Sequence, residues 1–331
     1  MWGVTCGRLR SWPRTESGLA KEVQMTETLK LEEKPQRKTS AIPQISLARI
    51  MVATDFSPYA ERALDYAVSL ARRFGSRIYL AHVITYEGHG VLEPDLGTPA
   101  RERFRDLAWQ NVKAIEDSGR FFGVPHDVVI EEGTLWLALE MLLEKYKIDL
   151  LVLGTHGMSG PLKAVFGSAA EQIFRQARIP VMTVGPAVTQ EPPFEAEFRT
   201  ILFATDFGPA AEREAAFAFA IAQEHRARLM FLNVTPFKAG LPEWDAVAER
   251  ALITRQLQEL VPQTKELHCK PEIDVAYGEP VAEILRVARE TKTDLIVIGA
   301  KRRGALSGHI PGTKAYGVVR GAQCPVLTIK S

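Results

Sequence analysis

A nine-residue string occurs twice in this chain. Ile50-Met51-Val52-Ala53-Thr54-Asp55-Phe56-Ser57-Pro58 returns as Ile201-Leu202-Phe203-Ala204-Thr205-Asp206-Phe207-Gly208-Pro209. Asp55 and Asp206 lie 151 positions apart; Gly154 and Gly299, Gly167 and Gly312, and Pro180 and Pro325 each lie 145 apart. Matching offsets along both halves mark a tandem duplication. The six-residue loss falls between the second and fourth apolar runs, where loops and a long helix tolerate it. The sequence therefore predicts two domains, 46–186 and 199–331, joined by a linker over 187–198 that contains Pro192, Pro193 and three glutamates.

Within the first copy, apolar runs alternate with stretches of helical period. Ile50–Thr54, Ile78–Ile84, His126–Glu132, Leu150–Gly154 and Val181–Val184 read as strands. Ala63, Ala67, Leu70, Ala71 and Phe74 recur at helical spacing after Ser57-Pro58, an N-cap followed by proline in the first turn, and Gly75 stops that helix. A long amphipathic helix is predicted from Pro99 to Phe122, a shorter one from Leu135 to Tyr146, and another carrying Ala169, Ala170, Ile173, Phe174 and Ala177. Continuous apolar strands separated by helices indicate an α/β domain with a parallel sheet covered on both faces.

Composition narrows the function classes. Net charge is +1, so bulk electrostatics favour neither nucleic acid nor membrane as a partner. Cys6, Cys269 and Cys324 are too few and too scattered for a disulfide framework or a zinc site, and a reducing cytoplasm is the expected location. No apolar run reaches the ~18 residues of a spanning helix. Residues 1–45 lack periodicity and are rich in Lys, Glu, Thr, Ser and Pro; they are expected to be a disordered extension, or to follow a misplaced start with Met25 as the true first residue.

The chemistry concentrates where the fourth strand ends. Gly154-Thr155-His156-Gly157-Met158-Ser159-Gly160, closed by Gly167-Ser168, joins a buried strand to the start of a helix. That arrangement turns backbone N–H groups and a helix dipole toward an anion. Gly154 and Gly157 let a backbone approach a ligand with no Cβ between. In a doubly wound sheet, ligands bind beyond the carboxyl ends of the strands where strand order reverses. If the first and fourth strands are neighbours, Asp55 and Gly154 line one crevice.

On these residues the chain resembles the universal stress protein family. The pattern Gly-x2-Gly-x9-Gly-Ser/Thr is complete over 154–168, and the resemblance covers both halves. It implies two Rossmann-like domains, each a five-stranded parallel sheet of order 3-2-1-4-5, with ATP and Mg2+ held in the crevice. Carried over, Asp55 and the backbone of Val83 would meet the adenosine end. Leu153, Gly154, His156, Gly157, Gly167, Ser168 and Ala169 would surround the ribose and phosphates. The second copy keeps Asp206, Val234, Gly299, Gly312 and Thr313 but has Arg302 in place of the second glycine. Its long side chain should fill phosphate space, so the second domain is expected to bind nucleotide weakly or not at all.

No catalytic residue and no protein metal ligand is expected. His156 is read as packing on the nucleotide, His82 and His225 as structural, and Trp136 and Trp244 as packing residues at helix starts. A Lys-bearing phosphate loop, Gly-x4-Gly-Lys-Ser/Thr, is absent from the sequence. The expected function is an ATP-binding regulator or sensor of the stress response, with an unnamed stress-response protein as partner. A nucleotide-independent scaffold and a slow ATPase or self-phosphorylating protein are the alternatives. The two halves are expected to pair through Val181–Val184 and Val326–Ile329, whose edges would otherwise be exposed. Two chains are expected to associate further as a homodimer.

Overall fold

The apolar runs become strands, and ten of them lie side by side in one sheet. The computed structural model describes residues 45–85, 98–155, 168–188, 198–236, 243–262, 270–300 and 314–330. The first half contains β1 (Arg49–Ala53), α1 (Pro58–Phe74), β2 (Arg77–Ile84), α2 (Thr98–Asp117), β3 (His126–Glu132), α3 (Leu135–Lys145), β4 (Leu150–Gly154), α4 (Ser168–Gln176) and β5 (Val181–Val184). The second half repeats the series as β6 (Thr200–Ala204), α5 (Ala211–His225), β7 (Arg228–Thr235), α6 (Glu243–Glu259), β8 (Glu272–Tyr277), α7 (Pro280–Glu290), β9 (Leu295–Ala300), α8 (Lys314–Gly321) and β10 (Val326–Lys330). The expected extension over residues 1–45 lies, but for Ile45, outside the described residues.

Strand order is β3-β2-β1-β4-β5-β10-β9-β6-β7-β8. Pairs inside each half are parallel, whereas β5 and β10 pair antiparallel. The edge-covering contact expected between the two last strands is thus present. Its register is symmetric: Thr183 faces Val326, Met182 faces Leu327 and Val181 faces Thr328. Leu327 lies 145 positions after Met182, so each stands opposite its own counterpart. Equivalent residues meeting in this way define a local two-fold relating the halves, the intrachain version of an isologous interface.

Alternation along each strand sends side chains to two cores. Ile50 and Val52 of β1 belong to the core that α1, α2, α5 and α6 cover on one face of the sheet; Met51 belongs to the core that α3, α4, α7 and α8 cover on the other. Both cores run through both halves. The described residues of both halves accordingly belong to one compact unit.

Two sequence expectations are refined. Helix α2 ends at Asp117 rather than near Phe122, because Gly119 and Gly123 adopt left-handed φ values of 73° and 75° and the Ser118 hydroxyl donates to the Ile115 carbonyl at 2.6 Å. The six-residue loss lies between the second and third strands of the repeat. Tyr79 pairs with Asp127 and Met230 with Glu272, so the offset has already changed from 151 to 145 across that pair.

Candidate functional site

Strand β1 lies between β2 and β4, which makes the β1–β4 boundary the switch point of the first half. Ala53 is paired with Leu153, so the turn Thr54–Ser57 after β1 and the end of β4 at Gly154–Thr155 stand at the same level of the sheet. The Thr54 N–H donates to the Ala81 carbonyl at 2.9 Å, carrying the chain one residue beyond β1 before it turns.

The turn that displays Asp55 is built by its own side chains. The Phe56 N–H donates to Thr54 Oγ1 at 3.0 Å and the Ser57 N–H to Asp55 Oδ1 at 3.0 Å. These bonds hold Phe56 at φ 60°, a left-handed conformation that costs a bulky residue about 1 kcal/mol or more. Ser57 then caps α1 by accepting from the Ala60 N–H at 3.2 Å. His82 Nδ1 lies 2.8 Å from the Thr54 carbonyl, and its ring centroid is 4.5 Å from that of Phe56. Burial holds its pKa below the usual histidine value, against the opposing pull of that backbone bond and of Asp55. His82 therefore buttresses the turn from behind, the structural role its position in a buried strand suggested. Asp55 is exposed, and Val83 is buried on β2 beside Glu131 of β3.

Packing gives Gly154 a reason to be glycine that the sequence did not show. A Cβ there would lie 2.8 Å from the Tyr59 carbonyl carbon and 2.9 Å from the Ala60 nitrogen. The first turn of α1 already occupies that space, so the missing side chain lets the helix seat against β4. Leu153 is buried, Ser168 opens α4, and Ala169 is exposed on its first turn. His156, Gly157 and Gly167 lie outside the described residues, as do Arg302, Gly312 and Thr313 of the second half.

The second half repeats the turn but not its surroundings. Phe207 takes φ 55°, its N–H donates to Thr205 Oγ1 at 3.0 Å, and the Gly208 N–H donates to Asp206 Oδ1 at 3.2 Å. Asn233 replaces His82, donating to the Thr205 carbonyl at 2.8 Å. Gly208 replaces the capping Ser57, and α5 starts only at Ala211, behind an Ala210 that makes no side-chain cap. Over Gly299, where the first half places helix backbone over Gly154, the second half places the carboxylate of Glu214. A Cβ on Gly299 would overlap that carboxylate. Glu214 is 5% exposed, and its counterpart in the first half is Ala63, fully buried among apolar neighbours. Sequence reasoning missed Glu214. The available signal was the 151 offset, which sets a charged residue against an alanine within an alanine-rich helix.

Among the described residues there is no group of three His, Cys, Asp or Glu side chains placed to hold a metal. No described helix is long and apolar enough to cross a membrane. Cys324 is buried and its thiol is pushed up to about 12, so it is not a nucleophile. Trp136, in the first turn of α3, is buried in the core, as a packing residue should be, while the side chain of Trp244 lies outside the described set.

The sequence profile of the universal stress protein family matches twice, over residues 47–185 and 197–330. A universal stress protein of Thermus aquaticus is 34% identical over 138 residues, covering 40% of this chain and 99% of that protein. One from Mycobacterium tuberculosis is 23% identical over 292 residues, covering 85% of this chain and 96% of that protein. Among solved structures, a universal stress protein from Archaeoglobus fulgidus superposes with a TM-score of 0.63 at 18% identity, covering 86% of this chain and 99% of that one, a likeness of fold.

Proposed function

This chain belongs to the universal stress protein family, and from that premise we propose that its first half binds ATP with Mg2+ and that the protein acts as a nucleotide-dependent regulator in the stress response. The observation that carries the reading is the register of β1 against β4. Ala53 beside Leu153 brings the Asp55 turn and the start of the glycine-rich loop to one crevice at the switch point. The helix backbone against Gly154 comes from Tyr59 and Ala60, and the first half has the uncharged Ala63 where the second half has Glu214, so no carboxylate stands at that position to repel phosphate.

Asp55, oriented by the Ser57 N–H, and the Val83 backbone would hold the adenosine end. Leu153, Gly154, His156, Gly157, Gly167, Ser168 and Ala169 would enclose the ribose and phosphates, with the N-terminus of α4 supplying N–H donors and a favourable dipole. Bound Mg2+ would offset phosphate charge. The second half would bind nucleotide weakly or not at all, since Glu214 sets a carboxylate over Gly299 where phosphate oxygens would approach. Domain limits of 46–186 and 199–331, a homodimer and a cytoplasmic location belong to the same proposal.

Thermal unfolding with and without Mg2+-ATP tests it, using Gly157→Arg as the comparison. The second half already carries arginine at the matching position, Arg302, so this change copies a loop the fold accepts. A ligand at 100 times its Kd adds about 2.7 kcal/mol of stability. ATP should raise the melting temperature of the natural chain and leave the variant unmoved. If millimolar ATP moves neither protein, the nucleotide reading is wrong and the scaffold alternative takes its place.

A further inference from the structure

A second recess, of about 410 Å3, opens where the two halves meet, lined by Arg73, Arg199, His225 and Arg226. It shares no residue with the crevice described above. Arg73 comes from the end of α1; Arg199 precedes β6, and His225 and Arg226 close α5. Arg73 engages Glu224 through Nε, donating to its main-chain carbonyl at 2.7 Å and lying 3.7 Å from its carboxylate. Asp294 accepts from the main-chain N–H groups of Arg199 and Thr200 at 2.8 Å. Among the described residues no carboxylate lies within ion-pair range of the Arg199 or Arg226 guanidinium, so positive charge is in excess.

The histidine in this recess has a fixed, unspent donor. His225 is 4% exposed, and its Nδ1 accepts from the Phe198 N–H at 3.3 Å. Burial, aided by Arg73, lowers its pKa to about 4, so the ring is neutral and its proton sits on Nε2. That Nε2–H is buried and has no acceptor among the described residues. An unmet buried donor is unfavourable, and a ligand oxygen would satisfy it. The rings of Phe198 and Phe74, with centroids 5.0 Å and 6.2 Å away, hold the imidazole in place.

The two copies carry different residues at these positions. At an offset of 151, Arg199 matches Ala48, His225 matches Phe74 and Arg226 matches Gly75. Gly75 takes φ 64° at no cost as a helix C-cap, whereas Arg226 takes φ 50° at the same cap. The second copy thus carries a cation where the first carries glycine, at a cap whose left-handed φ strains a residue with a side chain.

We propose that this recess is a binding site for a small phosphorylated anion, gripped by Arg73 from one half and by Arg199, Arg226 and the His225 Nε2–H from the other. Guanidinium groups match phosphate oxygens in geometry and charge, and the volume suits a small organic phosphate. Such a ligand would bridge the halves and link their relative stability to its own concentration.

The test is titration of the full chain, labelled with 15N-histidine, at constant ionic strength, reading the His225 Nε2 resonance by NMR. The signal is assigned by its loss in His225→Phe. Inorganic phosphate and glycerol 2-phosphate are the probes. The double variant Arg199→Ala with Arg226→Gly installs the residues the first half uses at both positions, so it should fold. A saturable shift at millimolar probe, weakened at least about tenfold in the double variant as the loss of a charge-assisted bond requires, supports the site. Binding of both probes identifies an organic phosphate as acceptable; binding of inorganic phosphate alone identifies the free ion. Phosphate bound in the first-half crevice would leave this resonance unmoved. No saturable shift with either probe, or a shift the double variant retains, overturns the proposal.

Discussion

Arg73 and Glu224 hold the same position in the two halves and meet across the local two-fold, with Arg73 Nε 3.7 Å from the Glu224 carboxylate. Their neighbours Phe74 and His225, again counterparts, bring their rings within 6.2 Å. On the sheet below, Met182 and Leu327 repeat the relationship. The halves therefore share a symmetric seam rather than a loose hinge.

A shared seam predicts shared unfolding. Leu327 is 1% exposed at the centre of the junction, and Leu327→Ala should cost about 2–5 kcal/mol. Urea unfolding followed by tryptophan fluorescence and by circular dichroism should show one coincident transition, moved to lower urea in the variant. Two separated transitions would show that the halves fold independently.

Gly154 and Gly299 should fail differently when given a side chain. Gly154→Ala meets α1 backbone, which has nowhere to go, and should cost about 1–3 kcal/mol. Gly299→Ala meets the Glu214 carboxylate instead, so the double variant with Glu214→Ala should recover most of that loss. A double-mutant cycle in denaturant measures the coupling; additive losses would remove Glu214 from its place over Gly299.

Glu214 should also limit what the second crevice accepts. With Glu214→Ala and Arg302→Gly together, the second half regains the small, uncharged pattern of the first. Calorimetric titration should then find more than one ATP per chain, against one for the natural protein. An unchanged stoichiometry of one would place the barrier elsewhere.

The His225 imidazole should weaken the fold in acid. Its pKa is about 4 when folded and 6.5 in its ordinary state, so the unfolded chain binds the extra proton between those values. The stability this contributes is complete above about 6.5 and is lost as pH falls toward 4. His225→Phe should lose less stability than the natural chain over that interval. Parallel acid profiles for the two proteins would be inconsistent with a buried neutral histidine.

Lys330 should behave in the opposite pH range. Burial lowers its amine to about 8, and it donates to the Phe174 carbonyl of the other half with its charge 4.5 Å from the Phe174 ring centroid. The unfolded chain holds the proton more tightly between about 8 and 10.5, so stability rises with pH through that window. Lys330→Met removes the titrating group and should flatten the rise. Equal slopes for both proteins would show that the amine is solvated.

The sequence by itself determined the elements and their repetition. Apolar period fixed β1, β4 and α1, and Ser57-Pro58 and Gly75 marked where α1 starts and stops, because capping and periodicity act over a few neighbouring residues. The string around Asp55, repeated at Asp206, located both switch-point turns for the same reason. It also foretold that β5 and β10 would pair with each other. Only the tertiary structure decided the antiparallel direction and the register that sets Met182 opposite Leu327, since strand pairing joins residues 145 apart whose hydrogen bonds leave no local trace. The same holds for Gly154, whose missing side chain serves α1, and for Glu214, which rests on Gly299 because the start of α5 has drawn back. Which atoms fill a space depends on every element that borders it, and those elements come from distant parts of the chain.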